Sequence, residues 1–76
     1  MTKQDFYKLF AEKLQVANNF NEETRLDLMS EWDSWAKLEV MGMIDEKFNV
    51  NLNADDFKDL LTLGNLMSKI GEQKFE

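Results

Sequence analysis

The sequence predicts an all-α fold: a small four-helix bundle, with three longer helices, one short third helix and a long loop between helices one and two. Three observations predict it. Apolar residues recur at helical spacing in three separate segments. Good capping residues (Thr2, Asp33 and Thr62) stand just before those segments. No alternation of the β type persists anywhere in the chain. With 76 residues there is room for a single domain, residues 1–76, and one modest core. A composition of 43% hydrophobic and 32% charged residues belongs to a folded domain and not to a disordered tail.

The first helix is expected from about Gln4 to Ala17, with Phe6, Leu9, Phe10 and Leu14 on one face. Thr2 and Asp5 resemble a capping box, and Asn18-Asn19 is the expected stop. Residues 18–33 lack a clean period. They read as a long crossover tethered by Phe20, Leu26, Leu28 and Met29, with a helical turn around Glu22 to Leu28. The second helix runs from Ser34 to Phe48 behind an Asp33 N-cap. Val50 and Leu52 then anchor a loop. A short third helix is expected near Asp55 to Leu60, with acids in its first turn where the helix dipole favours them. Thr62 caps a last helix from Leu63 to Gly71, and the tail from Glu72 to Glu76 is expected to fray.

Composition removes several kinds of chemistry. With no cysteine there is no disulfide, no thiolate nucleophile and no Cys-ligated metal. With no histidine the usual general base and the commonest metal ligand are missing too. Nine basic against fifteen acidic residues give a net charge of −6. That field repels nucleic acid and anionic membrane surfaces and favours basic protein partners. The first residues lack the apolar run of a signal peptide and no stretch has the length to span a bilayer, so a cytoplasmic location is expected. A calcium loop starting at Asp45 fails. It would place Lys47 at the third position, Val50 where glycine is needed and Asp56 where a bidentate Glu is needed. A carboxylate-pair hydrolase is also disfavoured, because no sizeable pocket is available to raise one pKa selectively.

The second helix carries two apolar surfaces. At 100° per residue, Val40, Met41, Ile44 and Phe48 cluster in one arc and form the expected core stripe. Trp35, Leu38 and Gly42 fall on the opposite side, which Glu39, Asp45 and Glu46 share. Two readings are open for this second face. It docks a partner with a basic groove and an apolar centre, or Trp35 and Leu38 fold under the long loop as core. Ser34 opens the helix, where its hydroxyl meets the positive end of the dipole and an attached phosphate would meet free backbone N–H groups. Without a histidine to take its proton, Ser34 must be activated by another enzyme if it reacts. That points to a modification site; the plainer reading is helix-start propensity.

Glu31-Trp32-Asp33-Ser34-Trp35, followed by Leu38-Glu39-Val40 and the Asp45-Glu46-Lys47-Phe48 end, resembles the modification motif and recognition helix of the acyl carrier protein family. Asn49-Val50-Asn51-Leu52, Asp55-Asp56 with Leu60, and Thr62-Leu63-Gly64-Asn65-Leu66 resemble the family's following segments, so the likeness covers about residues 2–72. It implies that Ser34 receives a 4′-phosphopantetheine arm from coenzyme A, through a separate phosphopantetheinyl transferase. The arm's thiol then holds acyl or aminoacyl groups as thioesters, and the protein itself is not an enzyme. A chain without cysteine or histidine would in this way import its reactive sulfur. The resemblance implies that Asp33 caps the helix and helps organise metal and phosphate during transfer. It implies that Glu39, Asp45 and Glu46 meet basic patches on the transferase and on acyl-loading ligases and synthases, around an apolar centre of Trp35 and Leu38. Val40, Met41, Leu60 and Leu61 are the candidates to line an acyl cavity.

The chain departs from the family pattern at Glu31 (commonly Gly), at Trp35 (usually Leu) and at Ala36 (commonly an acid). Lys37 and Lys47 add positive charge to a helix usually poorer in it, and Trp32 is closer to specialised or peptidyl-type carriers. These differences favour a carrier dedicated to one pathway, with its own loading enzyme, over the general fatty acid pool; a monomer is expected. The alternatives are a helical protein–protein interaction module that uses the Trp35 face without modification, and a degenerate carrier.

Overall fold

Each of the four helices starts at a side chain that accepts a backbone N–H the helix itself leaves unpaired. The computed structural model describes all of residues 1–76. Helix α1 spans Lys3–Leu14, and Thr2 Oγ1 accepts the Asp5 N–H at 3.0 Å. Helix α2 spans Ser34–Phe48, with Asp33 as its cap. Helix α3 spans Ala54–Lys58 and α4 spans Leu63–Ile70. Both of the last two carry reciprocal capping boxes, Asn53 with Asp56 and Thr62 with Asn65. The architecture is all-α with no strand, and no helix is long and apolar enough to cross a membrane.

Several boundaries differ from the sequence expectation. Helix α1 stops before Ala17, because Gln15 adopts a left-handed conformation (φ 58°) and closes the helix ahead of Asn18-Asn19. Thr2 caps it alone, without the reciprocal half of a box. Helix α3 is shifted to Ala54–Lys58, since Asn53 rather than a later residue begins it. Residues 26–28 form a single 3-10 turn, and Leu28 tethers nothing: it is 75% exposed. The buried tether is Leu26, with Phe20 and Met29 partly buried beside the core.

The tail does not fray. Glu72–Lys74 make a second 3-10 turn and turn Phe75 back into the core. Its ring lies 5.2 Å from both Phe6 and Phe48, and the Glu76 N–H donates to the Met1 carbonyl at 3.0 Å. One buried aromatic in a polar stretch outweighs the entropy of five loose residues.

The core is one cluster, built by Phe6 and Phe10 of α1, Val40, Ile44 and Phe48 of α2, Phe57 of α3, and Leu63, Leu66, Met67 and Ile70 of α4. On α2 the buried arc also takes in Ala36 and Met43, while Met41, expected inside, is only half-buried at its edge.

The long loop is stitched to the start of α4. Leu26 N–H donates to the Leu61 carbonyl at 2.8 Å, Leu63 N–H to Thr24 at 2.9 Å and Gly64 N–H to Glu22 at 2.9 Å. Gly64 permits that approach, because a Cβ there would stand 2.8 Å from the Glu22 carbonyl oxygen. Within the loop, the Arg25 guanidinium donates to both oxygens of Asp27 at 2.8 and 2.7 Å. That hydrogen bonding holds the Asp27 carboxyl below the usual carboxylate range.

Candidate functional site

The start of α2 is held from behind by an aromatic stack. Trp32 is buried, with its ring 5.4 Å from Phe10 and 5.9 Å from Phe57. This pins the residue before the cap to both α1 and α3. Asp33 then sits in extended backbone, and its Oδ1 accepts the Ala36 N–H at 2.9 Å. Its carbonyl accepts the Lys37 N–H at 3.0 Å. Ser34 follows as the first helical residue and is exposed. The backbone N–H groups of Ser34 and Trp35 have no hydrogen-bond partner in the chain. An exposed hydroxyl thus stands beside two free amides at the positive end of a four-turn helix.

The outer face of α2 is open. Trp35 is 71% and Leu38 61% exposed, so neither folds under the loop. Trp35, Leu38, Glu39, Gly42 and Glu46 line one shallow depression of about 290 Å³, with Lys13 of α1 at its border. Asp45 is exposed on the same helix but lies outside that lining. Trp35 also borders a second depression of about 240 Å³, together with Asp33, Glu31 and Lys13. It stands as a ridge between the two.

The four residues expected to line an acyl cavity do not come together. Val40 and Leu60 are packed into the core, Leu61 is 52% exposed, and none of the three lines any depression of the structure. A bundle with this many aromatic rings fills its own interior. Met41 alone borders a recess, and that recess is on the surface. It is a groove of about 320 Å³ between α2 and α3, lined by Ser34, Lys37, Leu38 and Met41 on one side and Ala54, Phe57 and Lys58 on the other. Of these, sequence reasoning missed Phe57, Lys58 and the part played by Lys37. The stripe Ser34, Lys37, Leu38, Met41 follows helical spacing and was available to pattern reading. The opposing wall was not, since it depends on how α3 docks.

Comparison with family profiles, curated proteins and solved structures finds no match to the chain.

Proposed function

We propose that the protein is a carrier of the acyl carrier type, without catalysis of its own, which bears a 4′-phosphopantetheine arm on Ser34. The observation that carries this reading is the exposed Ser34 hydroxyl at the first helical position, beside the unpaired N–H groups of Ser34 and Trp35. A phosphoester fits there: two donors and the helix dipole face it, and the nearest carboxylate, Asp33, is engaged by the Ala36 N–H. Nothing in the chain takes the hydroxyl proton. Ser34 Oγ gives that proton to the transferase and forms the phosphoester bond as the bond between the two coenzyme A phosphates breaks, releasing adenosine 3′,5′-bisphosphate. When attached, the arm supplies a terminal thiol that holds an acyl or aminoacyl group as a thioester.

The residues of α2 do the rest. Asp33 fixes the helix start. Trp35 and Leu38 supply an exposed apolar centre, and Glu39, Asp45 and Glu46 supply charge for a transferase, loading ligase or synthase with a basic docking patch. The chain is proposed to work as a cytoplasmic monomer within a dedicated pathway.

The test is incubation with coenzyme A, magnesium and a broad-specificity phosphopantetheinyl transferase. The expected result is a mass gain equal to one arm, located on the peptide containing Ser34. No gain under conditions that modify a control carrier overturns the reading. The exposure of Trp35 and Leu38 then favours the second reading, an interaction module that uses the same face without modification.

A further prediction concerns the acids. Reversing Glu39, half-buried, and Asp45, exposed, to Lys is expected to slow arm transfer about tenfold or more at low salt while leaving helix content unchanged, because charges at the surface act on encounter more than on folding. The check is the transfer rate at two ionic strengths beside a circular dichroism spectrum. Equal rates for variant and parent place docking elsewhere.

A further inference from the structure

The seam between α1 and α2 sets one cation among four carboxylates. The two depressions that flank Trp35 lie along it. The first carries Glu39 and Glu46, the second Glu31 and Asp33. Lys13, in the last turn of α1, is the only basic residue in either, and only Lys13 and Trp35 line both. Lys13 is exposed and makes no ion pair with any of the four acids. Lys3, Arg25 and Lys58 are each paired within the chain. The charge of Lys13 is thus left free beside an indole that is 71% exposed.

The negative end of the α1 dipole favours a lysine in the last turn. That preference does not choose between positions 12 and 13, which are both exposed. The chain has an acid at Glu12, which lines no depression, and its lysine at the position that borders both. Gly42 adds a second observation from α2. A Cβ there would meet nothing within 4 Å, so no contact in the chain calls for a glycine in mid-helix, where it weakens the helix. The bare backbone in the first depression admits a close approach from outside.

We propose that Lys13 selects the partner: the α1–α2 seam docks a protein surface of mixed charge, which sets a carboxylate against Lys13, cations against Glu39 and Glu46, and an apolar pocket over Trp35. The inference rests on the carrier reading and deepens it by giving the partner's charge pattern. A uniformly basic patch satisfies the acids but brings a cation onto Lys13. The indole shields that contact from water, and like charges meeting in such a place repel far more strongly than in solvent. A patch with one carboxylate at that point turns the same lysine into an attraction. Lys13 therefore discriminates by repulsion as well as by contact. It turns away partners built for a wholly acidic face and admits the one whose pattern is its complement.

The experiment measures arm transfer to the full chain by a phosphopantetheinyl transferase chosen for a uniformly basic docking patch. Lys13→Glu is expected to raise kcat/KM about tenfold at low salt, through KM with kcat unchanged, and the gain should shrink at high salt. Lys13→Gln should gain about threefold, and it keeps the test open if a glutamate at the end of α1 loosens the helix. Lys69→Glu is the control: it makes the same charge change in the last turn of α4, outside every depression, and should alter the rate less than about twofold. Each cation of the transferase patch is then replaced in turn by glutamate. One of those enzymes should reverse the order and load the parent chain faster than Lys13→Glu. Three outcomes overturn the proposal. In one, neither Lys13 variant is loaded faster than Lys69→Glu. In another, the gain lies in kcat or persists undiminished at high salt. In the third, no transferase variant reverses the preference. Failure of every chain to gain an arm is a separate result, read by mass before any rate, and removes the carrier reading together with this inference.

Discussion

Ser34→Ala is expected to abolish the mass gain with coenzyme A and transferase completely, and to leave the fold intact. The loss is total because the hydroxyl is the only atom at the helix start able to form the phosphoester, and the next residue, Trp35, offers none. The fold survives because Ser34 is exposed and caps nothing; Asp33 accepts the Ala36 N–H at 2.9 Å. Exposed substitutions of this kind usually change stability by no more than about 0.5 kcal/mol. Asp33→Ala provides the contrast. It keeps the hydroxyl but removes the cap, at a cost of about 1 kcal/mol, so loading is slowed and not lost. The measurements are intact mass and urea unfolding on the same three samples. A Ser34→Ala protein that still gains the arm shows that attachment occurs elsewhere and ends the proposal.

Trp32→Ala is expected to lower stability by about 3–5 kcal/mol. A domain of this length typically has about 4–11 kcal/mol in total, so the variant sits at or below the threshold of folding at 25 °C. The ring is buried and bridges Phe10 on α1 and Phe57 on α3, and neither neighbour can refill the space without moving its helix. Because the next two residues are the cap and the serine, loading should fall in proportion to the folded population. A stabilising osmolyte should then restore it in part. Trp32→Phe, which keeps a ring in the stack, is expected to cost about half as much or less. The check is the urea midpoint of each variant with the loading rate in parallel. A Trp32→Ala loss under about 1 kcal/mol would mean that the stack does not hold the helix start.

What could be read from the chain beforehand was what local chemistry dictates. The bounds of α2 and the caps Asp33 and Thr62 depend on neighbouring residues only, and they stand where the pattern placed them. The pattern also put Trp35, Leu38 and Glu46 on the arc opposite the core, but it left open whether Trp35 and Leu38 fold under the loop; that depends on where the loop lies, and the structure leaves all three exposed. The misreadings share a different cause. Met41 and Met43 flank the same apolar arc, and periodicity cannot say toward which edge α1 will lean; the structure buries Met43. Phe75 stands alone beyond Gly71, without a period to announce it, and is recruited only because Phe6 and Phe48 leave a site for its ring. The groove beside Ser34 needs both α2 and α3 in place, so its second wall had no local signature.

The stitching of the loop to the start of α4 bears on how the chain is assembled during synthesis. The carbonyls of Glu22 and Thr24, and the amide of Leu26, find partners only among residues 61–64. The chain up to residue 60 can therefore leave the ribosome with nascent helices but with its connecting segment still unsettled. The domain closes late and as a single event once Gly64 has emerged, the behaviour expected where distant pairings hold the architecture together.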